Sequence, residues 1–381
     1  MGRKRTQGSG SIIARANGRF TAQISDTATG RRRSVGTFTT KAAAEKAIAH
    51  AIVEGPPPTL EVTFGVYLAE WLEDQALVVK ATTAAKNRAM VRRVLREPIA
   101  RRKVRDLKPE GFRRLYRELR DHGKADGTSL AASSVKTLDQ VLKSALQQLV
   151  DDRVLRFHPI PRRVVAVERT ERPWLNLDQV RDLVRFARFA APDLEVVVRL
   201  GALAGLRRGE ICGLRWTDID LESGSLTIRR NRVVASGQIS ETTPKTTGSA
   251  ATISLDDATL STLRRHHYRR ADLIELAVPD AEYVVCTATG TGSDPNNVSR
   301  EFRRLVDRYN ATHPEAQLPG AIGLHSLRHS FASGLVARGV NLKVAATAMR
   351  HSSVRMMDRY GHLAPSTVDE AVRALAEEVG T

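Results

Sequence analysis

Aromatic residues make up only 5% of the 381-residue chain, and there are just two cysteines, Cys212 and Cys286. Two thiols cannot by themselves build a disulfide framework or a zinc site, so both read as small buried apolar residues of a reducing compartment. No apolar run approaches the ~20 residues that span a bilayer. The opening stretch MGRKRTQGSGS is basic and lacks the apolar segment of a secretory signal, so a cytoplasmic location with no membrane partner is expected. Acidic residues are also in short supply. Against 60 Lys and Arg stand 42 Asp and Glu, a formal net charge of +18.

That excess is unevenly placed. Residues 1–58 hold 10 basic and 3 acidic side chains (+7), residues 59–165 hold 22 and 13 (+9), and the remainder holds 28 and 26 (+2). A polyanion is the expected partner, and nucleic acid is the commonest. An arginine-rich coding bias or attraction to acidic membrane would also give a basic chain. The excess here is spread over whole domains rather than along one amphipathic helix, which favours nucleic acid.

The length implies two or three domains. The stretch SIIARANGRFTAQISDTATGRRRSVGTF alternates as three short strands with turns at Asn17-Gly18 and near Thr29-Gly30. TKAAAEKAIAHAIVE then has helical composition, and GPPPT breaks it. Such a ribbon can enter a DNA groove, with Arg15, Arg19, Arg31, Arg32 and Arg33 decorating its strands. From Thr59 to Arg163 the periodicity is helical. Phe64, Tyr67, Leu68, Trp71 and Leu72 share a face, Thr63 can cap it, and a later run turns Val135, Leu138, Val141, Leu142, Ala145 and Leu149 inward. RRVVAVERTERPW reads as a second linker. Beyond it come helices, then three short strands (GSLTIRRNRVV, GQISETTP, AATISL), a strand-like YVVCT, and further helices. The fold class is therefore multidomain α+β. It comprises a small three-stranded sheet with one helix at 1–55, a helical domain at 59–163, and a mixed, mainly α domain with a small antiparallel sheet at 173–381.

Chemistry-bearing residues collect in that last part. ALAGLRRGEICGLRW presents Arg207 after a Gly-containing turn, with Glu210 three residues on to orient it. TTPKTTG puts Lys245 at the tip of an expected hairpin. GLHSLRHSFASGL places His325 and Arg328 on one face near a helix start, where backbone N–H groups favour an anion. His351 follows, and Tyr360 stands among charges in DRYGH. Each piece alone has a plainer reading: an intrahelical ion pair, a solubilising turn lysine, a chance H-x-x-R.

In this order and at these separations, however, the C-terminal two hundred residues resemble the tyrosine recombinase (phage integrase) family. The family pattern is G-x-R-x-x-E, a hairpin lysine, H-x-x-R, a further histidine and a nucleophilic tyrosine. The matching positions are Arg207 with Glu210, Lys245, His325 with Arg328, His351 and Tyr360. Two positions depart. Ala204 replaces a frequent threonine, and Arg350 stands where a glycine often precedes the second histidine. The resemblance extends to 59–163 as a core-site-binding domain and to 1–55 as an arm-site-binding domain.

It implies that Tyr360 attacks a DNA phosphodiester and keeps one strand as a 3′-phosphotyrosine. Arg207 and Arg328 would hold the non-bridging oxygens, Lys245 would protonate the departing 5′ oxygen, His325 would act as acid/base, and His351 would bond the scissile phosphate. It implies no cofactor, no metal and no ATP. The implied partners are double-stranded core and arm DNA, three further copies of the chain in a tetramer on DNA, and a DNA-bending accessory protein as an additional candidate. A nucleoid-associated, cytoplasmic enzyme integrating or excising a phage or mobile element is thus expected. The rivals are a chromosome-resolution (Xer-like) recombinase, which normally lacks the arm-type domain, and a non-catalytic DNA-binding regulator. The acid pairs Asp218/Asp220 and Asp256/Asp257 could suggest a two-metal nuclease, but their loop-like surroundings favour turn and cap roles. The tail STVDEAVRALAEEV reads as an amphipathic helix with Val368, Val372, Leu375 and Val379 on one face.

Overall fold

The structure, a computed structural model, describes residues 10–16, 18–25, 32–54, 61–124, 126–162, 166, 173–242, 251–271, 282–351 and 353–363. Lys245, Arg31, most of both linkers and the expected tail helix lie outside these residues. The chain divides into two compact units, Met1–Glu168 and Arg169–Thr381.

In the first unit, β1 (Ser11–Ala14), β2 (Phe20–Ser25) and β3 (Arg32–Phe38) form an antiparallel sheet in sequence order. Gly18, with φ +74°, supplies the left-handed residue of the first turn. Helix α1 (Lys41–Glu54) covers one face, so that Ala22 and Ile24 bury against Ala44 and Ile48. A separate apolar core belongs to α2 (Phe64–Val78), α3 (Ala81–Val94), α4 (Pro109–His122) and α5 (Ala132–Asp151). Thr63 caps α2 by accepting from the Val66 N–H at 3.4 Å, and Pro109 opens α4 where its missing N–H costs nothing. The inward face expected for α5 is the buried one, and Phe64 meets Phe112 edge-on at 5.9 Å. Each such ring, taken out of water, contributes about 2–3 kcal/mol.

The second unit packs α6 (Leu177–Ala190), α7 (Pro192–Ala202), α8 (Arg208–Cys212), α9 (Asp257–Arg269), α10 (Pro295–Thr312), α11 (Leu324–Ala337) and α12 (Leu342–Ala348) with two small sheets. Strands β4 (Ile219–Asp220), β5 (Ser225–Thr227) and β8 (Thr252–Ser254) form one, and β6 (Asn231–Ala235) with β7 (Gln238–Thr242) the other.

Two readings from sequence need correction. GSLTIRRNRVV is not one strand. It breaks between β5 and β6 because Arg230 turns to Asp218 at 2.6 Å instead of continuing the ladder. YVVCT makes only isolated bridges, Arg215 with Tyr283 and Cys286 with Gly292. The β6–β7 hairpin turns through Ser236 and Gly237, both at positive φ, which matches the twist of its strands. The end opposite this turn is fastened: Glu241 accepts from the Tyr283 hydroxyl at 2.5 Å and from Arg215 at 3.1 Å.

Candidate active site

Helix α7 ends in a turn whose Gly205 has φ +63°. A Cβ there would sit 2.4 Å from the Phe331 ring, and one on Gly201 would sit 2.9 Å from the Leu327 Cβ. Those two glycines let the turn lie directly on α11, which carries His325, Arg328 and His329. The Gly205 carbonyl thereby accepts from Nη1 of Arg328, while Nη2 of Arg328 reaches the Met349 carbonyl.

Immediately after the turn, Arg207 opens α8. Glu210, in the first turn, accepts the Arg207 backbone N–H at 2.8 Å and its guanidinium at 2.6 Å. One carboxylate thus caps the helix and aims the arginine.

The end of α12 completes the cluster. The Arg350 N–H donates to the Thr347 carbonyl at 2.8 Å and the His351 N–H to the Ala346 carbonyl at 3.0 Å, with Arg350 at φ +51°. This is a Schellman ending, in which the left-handed residue is normally glycine. A side chain there costs about 1–2 kcal/mol. The physical reason for the glycine often found before the second histidine is therefore plain, and Arg350 occupies that place against the backbone preference. Its guanidinium, 3% exposed, bonds Glu210 at 3.0 Å and the Gly205 carbonyl at 3.1 Å. Arg207 donates in turn to the Arg350 carbonyl at 3.3 Å.

Among the described residues, Arg207 and Arg350 therefore share one carboxylate, while Arg328 beside them is held by backbone carbonyls alone. Burial, then the proximity of Arg207 and Arg350, pulls the Arg328 pKa down to about 9, so it stays cationic at neutral pH. Burial alone would raise the Glu210 carboxyl, but Arg350 and the Arg207 N–H outweigh it and hold the group below its ordinary value. The cluster carries a surplus of buried positive charge, which an anion would relieve.

Tyr360 stands beside it, in a short 3-10 stretch, Asp358–Leu363. It is 5% exposed, packed with Ala332, Val336, Met349 and Met357. Its hydroxyl shares a hydrogen bond with Nδ1 of His329, and the His325 ring sits edge-on to His329 at 4.7 Å. The structure thus gathers Arg207, Glu210, Arg328, His325 and Tyr360, with His351 half-buried in the turn that follows α12. Lys245 lies outside the described residues. Sequence reasoning missed two members of the cluster. His329 was hidden because H-x-x-R drew attention to the residues on either side of Leu327. Arg350 was noted only as a departure.

Residues 173–367 match the sequence model of the phage integrase family. The chain belongs to that family. It is a site-specific tyrosine recombinase, of the class that cleaves and rejoins DNA. It is 24% identical over 346 residues to a protein named tyrosine recombinase XerC-like from Caldanaerobacter subterraneus, covering 83% of each chain. The integrase of the transposon Tn1549, solved in complex with transposon right end DNA, has the same fold: TM-score 0.70 at 20% identity, over 84% of this chain and all of that one. A lambda integrase tetramer bound to a Holliday junction aligns with TM-score 0.58 at 19% identity, over 96% of this chain and 99% of its subunit.

The remaining charged motifs of this recombinase have structural explanations. Asp218 accepts the Arg215 N–H and pairs with Arg230, Asp220 accepts the N–H groups of Glu222 and Ser223, and Asp256 caps α9 through Thr259. In LRRHHYRRADL, Tyr268 is 82% exposed on α9 and His266 bonds the Val284 carbonyl. Of the arginines expected on the N-terminal sheet, Arg15 bonds Thr21 at 3.1 Å, Arg19 and Arg32 are exposed, and the backbone of Arg33 pairs with that of Ile24 in the register of β2 and β3. Among the described residues no helix is long and apolar enough to cross a membrane, and no cluster of His, Cys, Asp and Glu has metal-site geometry.

Proposed function

We propose that this recombinase integrates and excises a mobile element or phage genome, working through a 3′-phosphotyrosyl intermediate made by Tyr360. The observation that carries the reading is the surplus of cationic charge where the buried Arg328 and the half-buried Arg207 meet the Tyr360 hydroxyl. A phosphodiester is the anion that fits between a two-arginine clamp and a phenol. In this scheme the Tyr360 oxygen attacks phosphorus as its proton leaves toward His329 and His325. The arginines stabilise the added charge of the pentacoordinate state. His351 bonds a phosphate oxygen, and Lys245 protonates the 5′ oxygen that departs. The phosphotyrosine conserves the bond energy, so rejoining to a new 5′ hydroxyl needs neither ATP nor, with arginines supplying the charge, a metal.

Residues 59–163 bind core DNA, residues 1–55 bind arm DNA through Arg15, Arg19, Arg31, Arg32 and Arg33, and 173–381 carries the chemistry. Four copies assemble on DNA in the cytoplasm, next to the nucleoid. The DNA-bound relatives support the partner, and the +7 of residues 1–58 supports an N-terminal DNA contact.

A nicked core site that loses its 5′ fragment on cleavage tests the chemistry. The wild-type chain accumulates covalent protein–DNA adduct in EDTA, and Tyr360→Phe binds the same site without forming any. Adduct from the Phe variant would remove Tyr360 as nucleophile. Adduct that required magnesium would replace the arginine scheme with a metal-dependent one. For the arm assignment, a fragment beginning at Thr59 should cleave core DNA yet fail to join full attachment sites. Unimpaired joining would favour the chromosome-resolution reading.

A further inference from the structure

Arg350 is not among the residues that the family pattern makes functional, and a glycine suits its backbone better. Yet it holds the most connected position in the cluster. Nη2 bonds both the carboxylate that aims Arg207 and the carbonyl that holds Arg328. Its own carbonyl receives Arg207, while its neighbour Met349 supplies the carbonyl that receives Arg328. Nε and Nη1 are buried without a hydrogen-bond partner, which leaves part of the charge of a 3%-exposed cation uncompensated. A group kept in a disfavoured backbone conformation and short of two acceptors is not there for stability alone.

We infer that Arg350 is a positioning residue for the phosphate clamp: it ties Glu210, the Gly205 carbonyl and Arg207 into one rigid unit, so that Arg207 and Arg328 present their charges together. Too buried to meet DNA itself, it acts through the other two arginines. Because Glu210 is shared, its charge is not wholly spent on Arg207, and the clamp keeps a cationic surplus for the phosphate. Arg350 takes over at this site a role that the more usual glycine leaves to the backbone.

The inference rests on the clamp reading of Arg207 and Arg328, so the experiment includes a control for it. Arg350→Gly is the primary variant, since glycine removes the guanidinium while relieving the left-handed backbone. Arg350→Lys keeps a cation, and Arg207→Ala is the control. Each is assayed for half-site affinity and for single-turnover cleavage of a nicked core site. Two substrates are used, one with an ordinary scissile phosphate and one with a methylphosphonate, in which a neutral methyl replaces a charged non-bridging oxygen.

The expectation is that Arg350→Gly binds within about threefold of wild type but cleaves the phosphate roughly 10²-fold more slowly, the scale on which a preorganised charge contact acts. That deficit should shrink several-fold on the methylphosphonate, where less charge has to be held. Arg350→Lys should fall between. Wild-type cleavage by Arg350→Gly, or a deficit equal on both substrates, would overturn the inference and leave Arg350 a structural residue. If instead Arg207→Ala kept its full deficit on the methylphosphonate, the clamp reading itself would fail, an outcome distinguishable from the first.

Discussion

Between Phe64 and Ile160 nearly everything buried is apolar. Asn87 and Asp139 are the buried polar side chains of the described helical module, and Asp139 is matched by the Tyr116 hydroxyl at 2.9 Å and Lys143 at 2.7 Å. The C-terminal unit instead buries Glu195, Glu210, Asp218, His266, Arg328, His329 and Arg350, among others. The first region can be repacked at modest cost as long as volume is kept. The second is held by counting partners, because an unmatched buried charge is far more costly than a missing methyl. The helical module's core therefore reports on folding. Around Tyr360, the positive charge of the buried side chains is only partly matched from within.

The largest effect that would sharpen this contrast is at Arg328. Replacing it by methionine should lower single-turnover cleavage by about 10³-fold or more. The unit should unfold at the same or a higher temperature, because an incompletely paired buried cation is gone. A marked drop in melting temperature would show Arg328 to be a structural ion and would erase the distinction.

Glu210→Gln comes next. It leaves Arg207 and Arg350 without their shared carboxylate and should cost about 3–5 kcal/mol in denaturant unfolding. The folded pKa of Glu210 lies below its ordinary value of 4.5, so its stabilisation is complete above that value and is lost as pH falls through the lowered one. The wild-type unit should thus lose stability on acidification below about pH 4.5 more steeply than the glutamine variant. Parallel curves would contradict the assigned pairing.

Leu142→Ala addresses the other side of the comparison. It should destabilise the helical module by about 2–5 kcal/mol yet leave the rate of DNA cleavage per folded molecule within a few-fold, measured well below the melting temperature. A large rate loss at full folding would mean that this core shapes catalysis as well. The smallest effect belongs to the N-terminal sheet. Arg32→Ala should lower the slope of log affinity against log salt for arm DNA by about one unit, with no change at core sites. An unchanged slope would place Arg32 away from phosphate.

Much of this molecule was legible in its sequence, for reasons that differ by region. The period of Val135, Leu138, Leu142 and Leu149 announces a helix because one face must leave water, and that face is the buried one. Arg207, Glu210, His325, Arg328 and Tyr360 could be picked out because their order along the chain is distinctive, although each spacing alone is commonplace. What escaped was of two kinds. The break between β5 and β6 depends on Arg230 finding Asp218 twelve residues back, a tertiary event with no local signature. His329 and Arg350 escaped because histidine and arginine are expected at the surface, and no pattern of neighbours states that a charged side chain will be enclosed. Only tertiary contacts enclose them, Arg350 with the Gly205 carbonyl and Glu210, and His329 with Tyr360.

That turn also limits how the gene can change. With Gly205 at φ +63° and 2.4 Å from the Phe331 ring for any added methyl, a side chain at 205 must displace that ring. Even asparagine, which tolerates the backbone angle, brings a side chain into the aromatic ring. The half-exposed Phe331 ring would have to swing aside or be replaced by a smaller one. The two positions are therefore coupled: a chain that abandons glycine at 205 needs a matching change at 331. Comparison of sequences within its lineage should find the pair either unchanged or changed together.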